Sequence, residues 1–268
     1  MRRLCSLSSN DNLRVGVIGL GQMGGRMADN LRKRGHKLVV CDPVAANVDK
    51  QVQQGATAAA NAREVAEQCD TIITMLPPTN AVESVYLGKD GVHEALRSEH
   101  LLLDSSTIDP IFTKKLSAEL HERGATFVDA PVSGGVAGAQ NGTLTFMVGG
   151  EPEEFKRVKP LLSAMGKNLV YCGGSSTGQV AKLCNNLAAA IQLTSIAEAT
   201  NLGVALGIDL KVLAEYGVVA DTVCVYWIVT VCCFVAVFRV MNSSTSQCWS
   251  STTYVAISTT NVILVILT

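Results

Sequence analysis

An excess of charge of one sign, closely paired C-x-x-C cysteines and basic clusters are all missing from this chain, and each absence removes a class of function. The 22 Lys and Arg residues nearly balance 23 Asp and Glu, for a net charge of −1. With no basic block to meet a phosphate backbone, nucleic acid is not an expected partner. The nine cysteines form no C-x-x-C pair and no His/Cys cluster. Neither a metal site of the zinc type nor a disulfide framework is suggested, and reduced thiols are the default reading. At 268 residues the chain can bury a substantial core in one or two domains. Charge is also missing locally. Residues 217–268 carry only Asp221 and Arg239, together with both tryptophans, Trp227 and Trp249. Thr222–Phe238 is uncharged for seventeen residues, the lower limit of a spanning helix. Its many Val and Cys residues fit translated non-coding sequence better, so a membrane is not expected. Val223–Phe238 and Val262–Leu267 are β-branched, low in charge and free of proline, the marks of an aggregation-prone segment.

What is present is organised around Arg14–Gly25, RVGVIGLGQMGG. Val15, Val17 and Ile18 form a short β-branched run of the buried parallel kind. Gly19-Leu20-Gly21-Gln22-Met23-Gly24 follows as G-x-G-x-x-G, and Met23, Met27 and Leu31 continue with helical spacing. In that context Gly19 permits the tight turn, Gly21 lets the backbone approach a pyrophosphate, and Gly24 lets helix and strand pack closely. The phosphates would rest on the free N–H groups and positive end of the helix. A second strand, Lys37–Cys41, ends in Asp42, about twenty residues on, where a ribose 2′-OH needs an acceptor. The cofactor expected is NAD.

The rest of residues 14–177 alternates strand and helix, predicting an α/β fold with a Rossmann-type doubly wound parallel sheet. Helices are expected at Ala45–Gln54, Ala62–Gln68, Asp109–Arg123 and Pro152–Met165. Strands are expected at Thr71–Met75, Leu101–Leu103, Thr126–Asp129, Thr143–Val148 and Leu169–Cys172. Every motif stands at a strand's carboxyl end, where such sheets bind ligands. Ser133-Gly134-Gly135 reads either as a flexible hairpin loop or as a backbone cradle for a carboxylate. From Gln179 to about Leu206 a long helix is predicted, with Lys182 and Asn186 four apart on one face. That pair is either a solvated edge of the helix or a functional site.

These motifs resemble the 3-hydroxyisobutyrate dehydrogenase family of β-hydroxyacid dehydrogenases: GLGQMG, Asp42, TMLP, DSSTIDP, DAPVSGG, GTLTFMVGG and GQVAKLCNN, in that order from about Arg14 to Tyr216. The resemblance implies NAD-dependent oxidation of (S)-3-hydroxyisobutyrate to methylmalonate semialdehyde in valine breakdown. A mitochondrial matrix location, a small-molecule 3-hydroxy acid as partner and a homo-oligomer are also implied. Leu76, Pro77 and Thr107 would line the nicotinamide side, with Asn80 a further candidate. Ser133, Gly134 and Gly135 would receive the substrate carboxylate, Lys182 would be the catalytic base and Asn186 would orient the substrate. A lysine in a partly desolvated site beside a positive ring has a lowered pKa, which suits a base. No metal is required.

Two regions depart from the pattern. Met1–Leu13 holds Arg2 and Arg3 with no acid before Asp11, compatible with a mitochondrial presequence or with an irregular N-terminus. Residues 178–216 would open the all-helical substrate domain that the family continues beyond Tyr216. Here Gly217–Val240 is foreign to it, and only Met241–Tyr254 returns to a similar run. A retained intron or mistaken gene model would produce this, and the resulting loss of helices predicts impaired catalysis. The alternatives are a related semialdehyde or glyoxylate reductase and a non-catalytic NAD-binding family member. Arg in place of Asp42 would mark many of the former, and loss of Lys182 the latter.

Overall fold

In the computed structural model the described residues are 13–77 and 79–215. The presequence-like residues 1–12 and the apolar segment 217–268 lie outside them. By contacts the chain divides at Ile191/Gln192 into two units, inside the long helix rather than before it.

The first unit is built on a sheet whose strands are β1 (Arg14–Ile18), β2 (Lys37–Cys41), β3 (Thr57–Ala58), β4 (Thr71–Thr74), β5 (Leu101–Asp104), β6 (Thr126–Asp129), β7 (Val132–Ser133), β8 (Leu144–Gly149) and β9 (Gly166–Gly173). Their order is β3-β2-β1-β4-β5-β6-β8-β7, with β9 also paired to β8. The six strands from β3 to β6 are mutually parallel, and β8 turns antiparallel to β6 at Asp129↔Gly149. Strands β4 and β5 are buried at every position, as a sheet covered on both faces requires. The two faces carry separate cores. One gathers Val15, Leu31, Val40, Phe146 and Leu162; the other gathers Ile72, Tyr86, Leu102, Leu120 and Phe127.

The helices are α1 (Gly24–Lys33), α2 (Ala45–Val52), α3 (Ala62–Gln68), α4 (Thr79–Leu87), α5 (Pro110–Glu122), α6 (Gly135–Asn141), α7 (Pro152–Leu162), α8 (Thr177–Ala205) and α9 (Leu210–Glu215). Their starts are written locally. Asn61 accepts from Glu64 N, Asp109 accepts from Ile111 N ahead of Pro110, and Glu151 and Glu154 form a reciprocal capping box around Pro152. Two helices stand where no element was expected. Helix α4 buries Val82 and Tyr86 four apart. Helix α6 contains two glycines, yet it forms because Asn30 donates to Ala139 O at 2.6 Å and Gly142, at φ +67°, closes its end. The glycine-rich stretch after Ser133 is therefore ordered, not a flexible hairpin. Strand β9 starts three residues earlier than expected, and α7 stops three residues sooner.

Helices α5 and α7 are joined by His121 Nε2 and Glu154 Oε1, 2.9 Å apart. That bond is the main cause of a His121 pKa above its ordinary 6.5, against an opposing effect of burial. A base held protonated by folding contributes fully below its unfolded pKa and loses the contribution as pH rises through the raised folded value. The ring is partly exposed, so the pair is worth less than about 1 kcal/mol. The Tm gap between the parent and His121→Gln should be widest below the ordinary histidine value of 6.5 and shrink as pH rises above it; melting curves on both sides of that value check it.

Candidate active site

The turn after β1 is shaped by three glycines that each do something different. Gly19 has φ +91°, and its N–H donates to Cys41 O at 2.9 Å; a Cβ there would lie 2.3 Å from Met75 O. At Gly24 a Cβ would stand 1.9 Å from Gly19 O, so only glycine lets α1 begin this close to the strand. Around Gly21 there is open space for 4 Å, on an exposed backbone. The first turn of α1 has no acidic residue and no side-chain cap; Gly25 N already donates to Gly21 O at 3.1 Å, and the positive end of the helix faces the turn. Gln22 is exposed, and its carbonyl and side-chain oxygens both accept from Arg26, at 2.7 and 2.8 Å. Met23 packs against the core on one side of the sheet.

Asp42 is drawn into this turn. Its Oδ2 accepts from Leu20 N at 2.6 Å, and its Oδ1 accepts from Val44 N at 2.8 Å and from Asn47 Nδ2 at 3.1 Å. The carboxylate thus sits at the end of β2 in one orientation, beside Gly19–Gly24. A cavity of about 250 Å³ opens next to it, lined among others by Leu20, Gly21, Gln22, Arg26 and Asn47.

The next strand ends are tied to the same place. Met75 N donates to Ile18 O, and Leu76 N donates to Ser106 Oγ at 2.9 Å. Pro77 and Thr107 are exposed on these loops. Asn80 is exposed in the first turn of α4, one residue past Thr79, whose hydroxyl accepts from Asp109 N at 3.3 Å. Beneath them lies a buried polar cluster. Asp104 Oδ1 accepts from Thr74 Oγ1 at 2.8 Å and from Ser106 N at 3.1 Å, and the Tyr86 hydroxyl is 3.1 Å from Thr74 Oγ1. Burial pushes the Asp104 carboxyl and the Tyr86 hydroxyl up from their ordinary values.

Helix α8 begins on the other side of these loops. Its first turn is held by Asp129, at the end of β6, which accepts from Ser176 N at 2.7 Å and from Gln179 N at 2.9 Å. Lys182 follows on α8, half-buried, and burial lowers its pKa from 10.5. Asn186 is exposed one turn further. Ser133 ends β7, Gly134 links it to α6 and Gly135 opens that helix, with φ of +126° and +60° at the two glycines, and Ser133 pairs with Thr145 of β8. The structure thus links the glycine turn, Asp42, Leu76, Thr107 and the start of α8 through successive contacts. The Ser133–Gly135 turn joins them through β8 and Asp129, while Asn80 remains at the margin. Asp129 and Gln179 had been given no role from sequence. Their only signal was a carboxylate at a strand end and an amide inside an apolar helix start.

Comparison with known proteins agrees with this geometry. The family profile described as the NAD binding domain of 6-phosphogluconate dehydrogenase matches residues 14–174. Mitochondrial 3-hydroxyisobutyrate dehydrogenase of Mus musculus is 46% identical over 253 residues, which are 94% of this chain and 68% of that protein. The chain belongs to the 3-hydroxyisobutyrate dehydrogenase family. Another relative, the NAD-dependent L-serine dehydrogenase of Pseudomonas aeruginosa, is 48% identical over 201 residues, 75% of this chain and 67% of its own length. Among solved structures, the Mycobacterium tuberculosis 3-hydroxyisobutyrate dehydrogenase with L-serine is 35% identical with a TM-score of 0.72, covering 79% of this chain and 72% of that one.

The residues present fit the family's NAD. The open backbone at Gly21, the uncapped start of α1 and the fixed Asp42 carboxylate supply what pyrophosphate and ribose require. Gly21→Val should leave the stability within about 0.5 kcal/mol of the parent, since the new side chain meets open space, while NAD binding falls by more than tenfold. Gly24→Ala, which meets Gly19 O, should lower both. Calorimetric NAD titration beside thermal melting distinguishes the two.

Proposed function

We propose that this dehydrogenase oxidises the primary alcohol of 3-hydroxyisobutyrate to methylmalonate semialdehyde, in the mitochondrial matrix, with Lys182 as the general base. The observation that carries the reading is Lys182 itself, half-buried with a pKa lowered by burial, one turn into a helix fastened beside Thr107. A relative named as a mitochondrial 3-hydroxyisobutyrate dehydrogenase supports the location. NAD, when bound, accepts the hydride from the alcohol carbon. The chain's own residues have the remaining tasks. Gly19–Gly24 and Asp42 hold the pyrophosphate and adenosine ribose, and Leu76, Pro77, Asn80 and Thr107 wall the nicotinamide end. Backbone N–H groups of the Ser133–Gly135 turn, opening α6 without a competing side-chain cap, receive the substrate carboxylate. Neutral Lys182 takes the proton from the hydroxyl oxygen, and uncharged Asn186 orients that hydroxyl without adding charge. Apolar Leu183 and Leu187, exposed on α8, support self-association.

A second substrate is favoured by one specific finding, the 48% identity to a relative named for L-serine. L-Serine has the same carboxylate and 3-hydroxyl with an ammonium in place of the methyl. The expected order of kcat/KM is 3-hydroxyisobutyrate above L-serine; the reverse order assigns the site to the amino acid.

Two substitutions test the roles. Lys182→Ala should lower kcat by about 10²–10⁴-fold with little change in the Kd of NAD. Retention of more than a few per cent of parental kcat removes Lys182 as base. Asp42→Ser should narrow the preference for NAD over NADP, because the carboxylate repels a 2′-phosphate and accepts from a 2′-hydroxyl. Equal binding of both cofactors by the parent would overturn that assignment.

A further inference from the structure

The side chain of Gln179 is 1% exposed, yet it belongs to neither apolar core. Its Nε2 donates to Ser106 O at 2.7 Å, and its Oε1 accepts from Ile108 N at 3.1 Å. Those two groups belong to the peptide bonds on either side of Thr107. One carboxamide therefore grips both, as a neighbouring strand would, and presents the exposed Thr107 side chain outward. The backbone N–H of Gln179 is held too, by Asp129 Oδ2 at 2.9 Å. The start of the helix has no room to slide, since a Cβ at Gly178 would lie 2.3 Å from Met147 O and 2.8 Å from Asp129 Oδ2. Gln179, Lys182 and Asn186 follow at i, i+3 and i+7, along one face of α8.

We propose that Gln179 is a positioning residue that couples the Thr107 loop to Lys182, so that the nicotinamide wall and the base are set by a single side chain. The proposal rests on the functional reading of Lys182 and Thr107 above. The chemistry is selective. The amide offers a donor and an acceptor at this reach at any pH. Leucine offers neither, and asparagine is one methylene short. An ionised glutamate can accept from Ile108 N but faces Ser106 O with a second acceptor. A protonated glutamate restores the donor, so Gln179→Glu should work only when it carries its proton.

The test uses the full chain with Gln179→Leu, Gln179→Glu and, as a stability control, Val158→Ala, which opens a cavity in α7 away from the site. Two readouts are taken. One is steady-state turnover against pH. The other is the pH dependence of Lys182 acylation by an amine-specific reagent, followed by peptide mass spectrometry, which needs no turnover. For Gln179→Leu the expected result is a loss of kcat of about 10²-fold. The Lys182 titration midpoint should also move up toward its ordinary value of 10.5. Gln179→Glu should recover activity as pH falls, the opposite of the parent's trend, whereas Val158→Ala loses Tm alone. If Gln179→Leu does not fold, the pH trend of Gln179→Glu decides. A parental Lys182 midpoint and kcat within about threefold in Gln179→Leu, or a parental pH trend in Gln179→Glu, overturns the proposal. A parent that turns over neither acid refutes the functional reading alone, and the Lys182 midpoint still decides the coupling.

Discussion

The active site depends on one buried carboxylate meeting one helix start. Asp129 ends β6 fully inside the protein and accepts backbone N–H bonds from Ser176, Gln179 and Gly178. Burial pushes its pKa up while those N–H bonds pull it back, so the charge is held by dipoles rather than by a partner ion. Two glycines make this approach feasible. A Cβ at Gly149 would lie 2.5 Å from Asp129 Oδ1, and one at Gly178 would lie 2.8 Å from Oδ2. Removing the carboxylate would leave several buried donors unpaired, at about 1–3 kcal/mol each. The sheet and the helix carrying Lys182 are thus joined by polar bonds that fix direction, where apolar packing alone would fix only distance.

The dinucleotide half uses the same logic at the carboxyl ends of β2, β1 and β4. Asp42 Oδ2 accepts from Leu20 N, and Leu76 N donates to Ser106 Oγ. Each strand end is hydrogen-bonded to its neighbour's loop, from β2 through β1 and β4 to β5. A cofactor entering here finds acceptors and donors already oriented, and little side-chain entropy remains to be lost on binding. Beneath the loops Thr74, Tyr86 and Asp104 form a buried polar cluster linked by hydrogen bonds through Thr74 Oγ1. That cluster ties β4 to β5 below the loops that carry Leu76 and Thr107.

Local signals made much of this readable. The β1–turn–α1 unit, Asp42 at a strand end, the Asp109-Pro110 helix start and the uninterrupted run from Thr177 to Ala205 each carry their cause in neighbouring residues. Helix α4 begins directly after a proline-rich turn and announces itself only through Val82 and Tyr86. Helix α6 has poor propensity and owes its order to Asn30, 109 residues away in sequence from Ala139. Strand β3 has two residues and exists because β2 offers an edge.

The sequence by itself determined the alternation of strand and helix, the glycine turn and the residue types available for hydride-transfer chemistry. These follow from steric and hydrogen-bonding preferences within a few residues of each position. Tertiary structure decided which groups meet. That Gln179 would grip the peptides around Ser106 and Ile108, 73 and 71 residues away, is written in no local pattern. Nor is it written that Asp129 would hold a helix 47 residues on. Such pairings exist only once the parallel sheet has brought its strand ends into one row, because backbone donors acquire distant partners only where packing excludes water from between them.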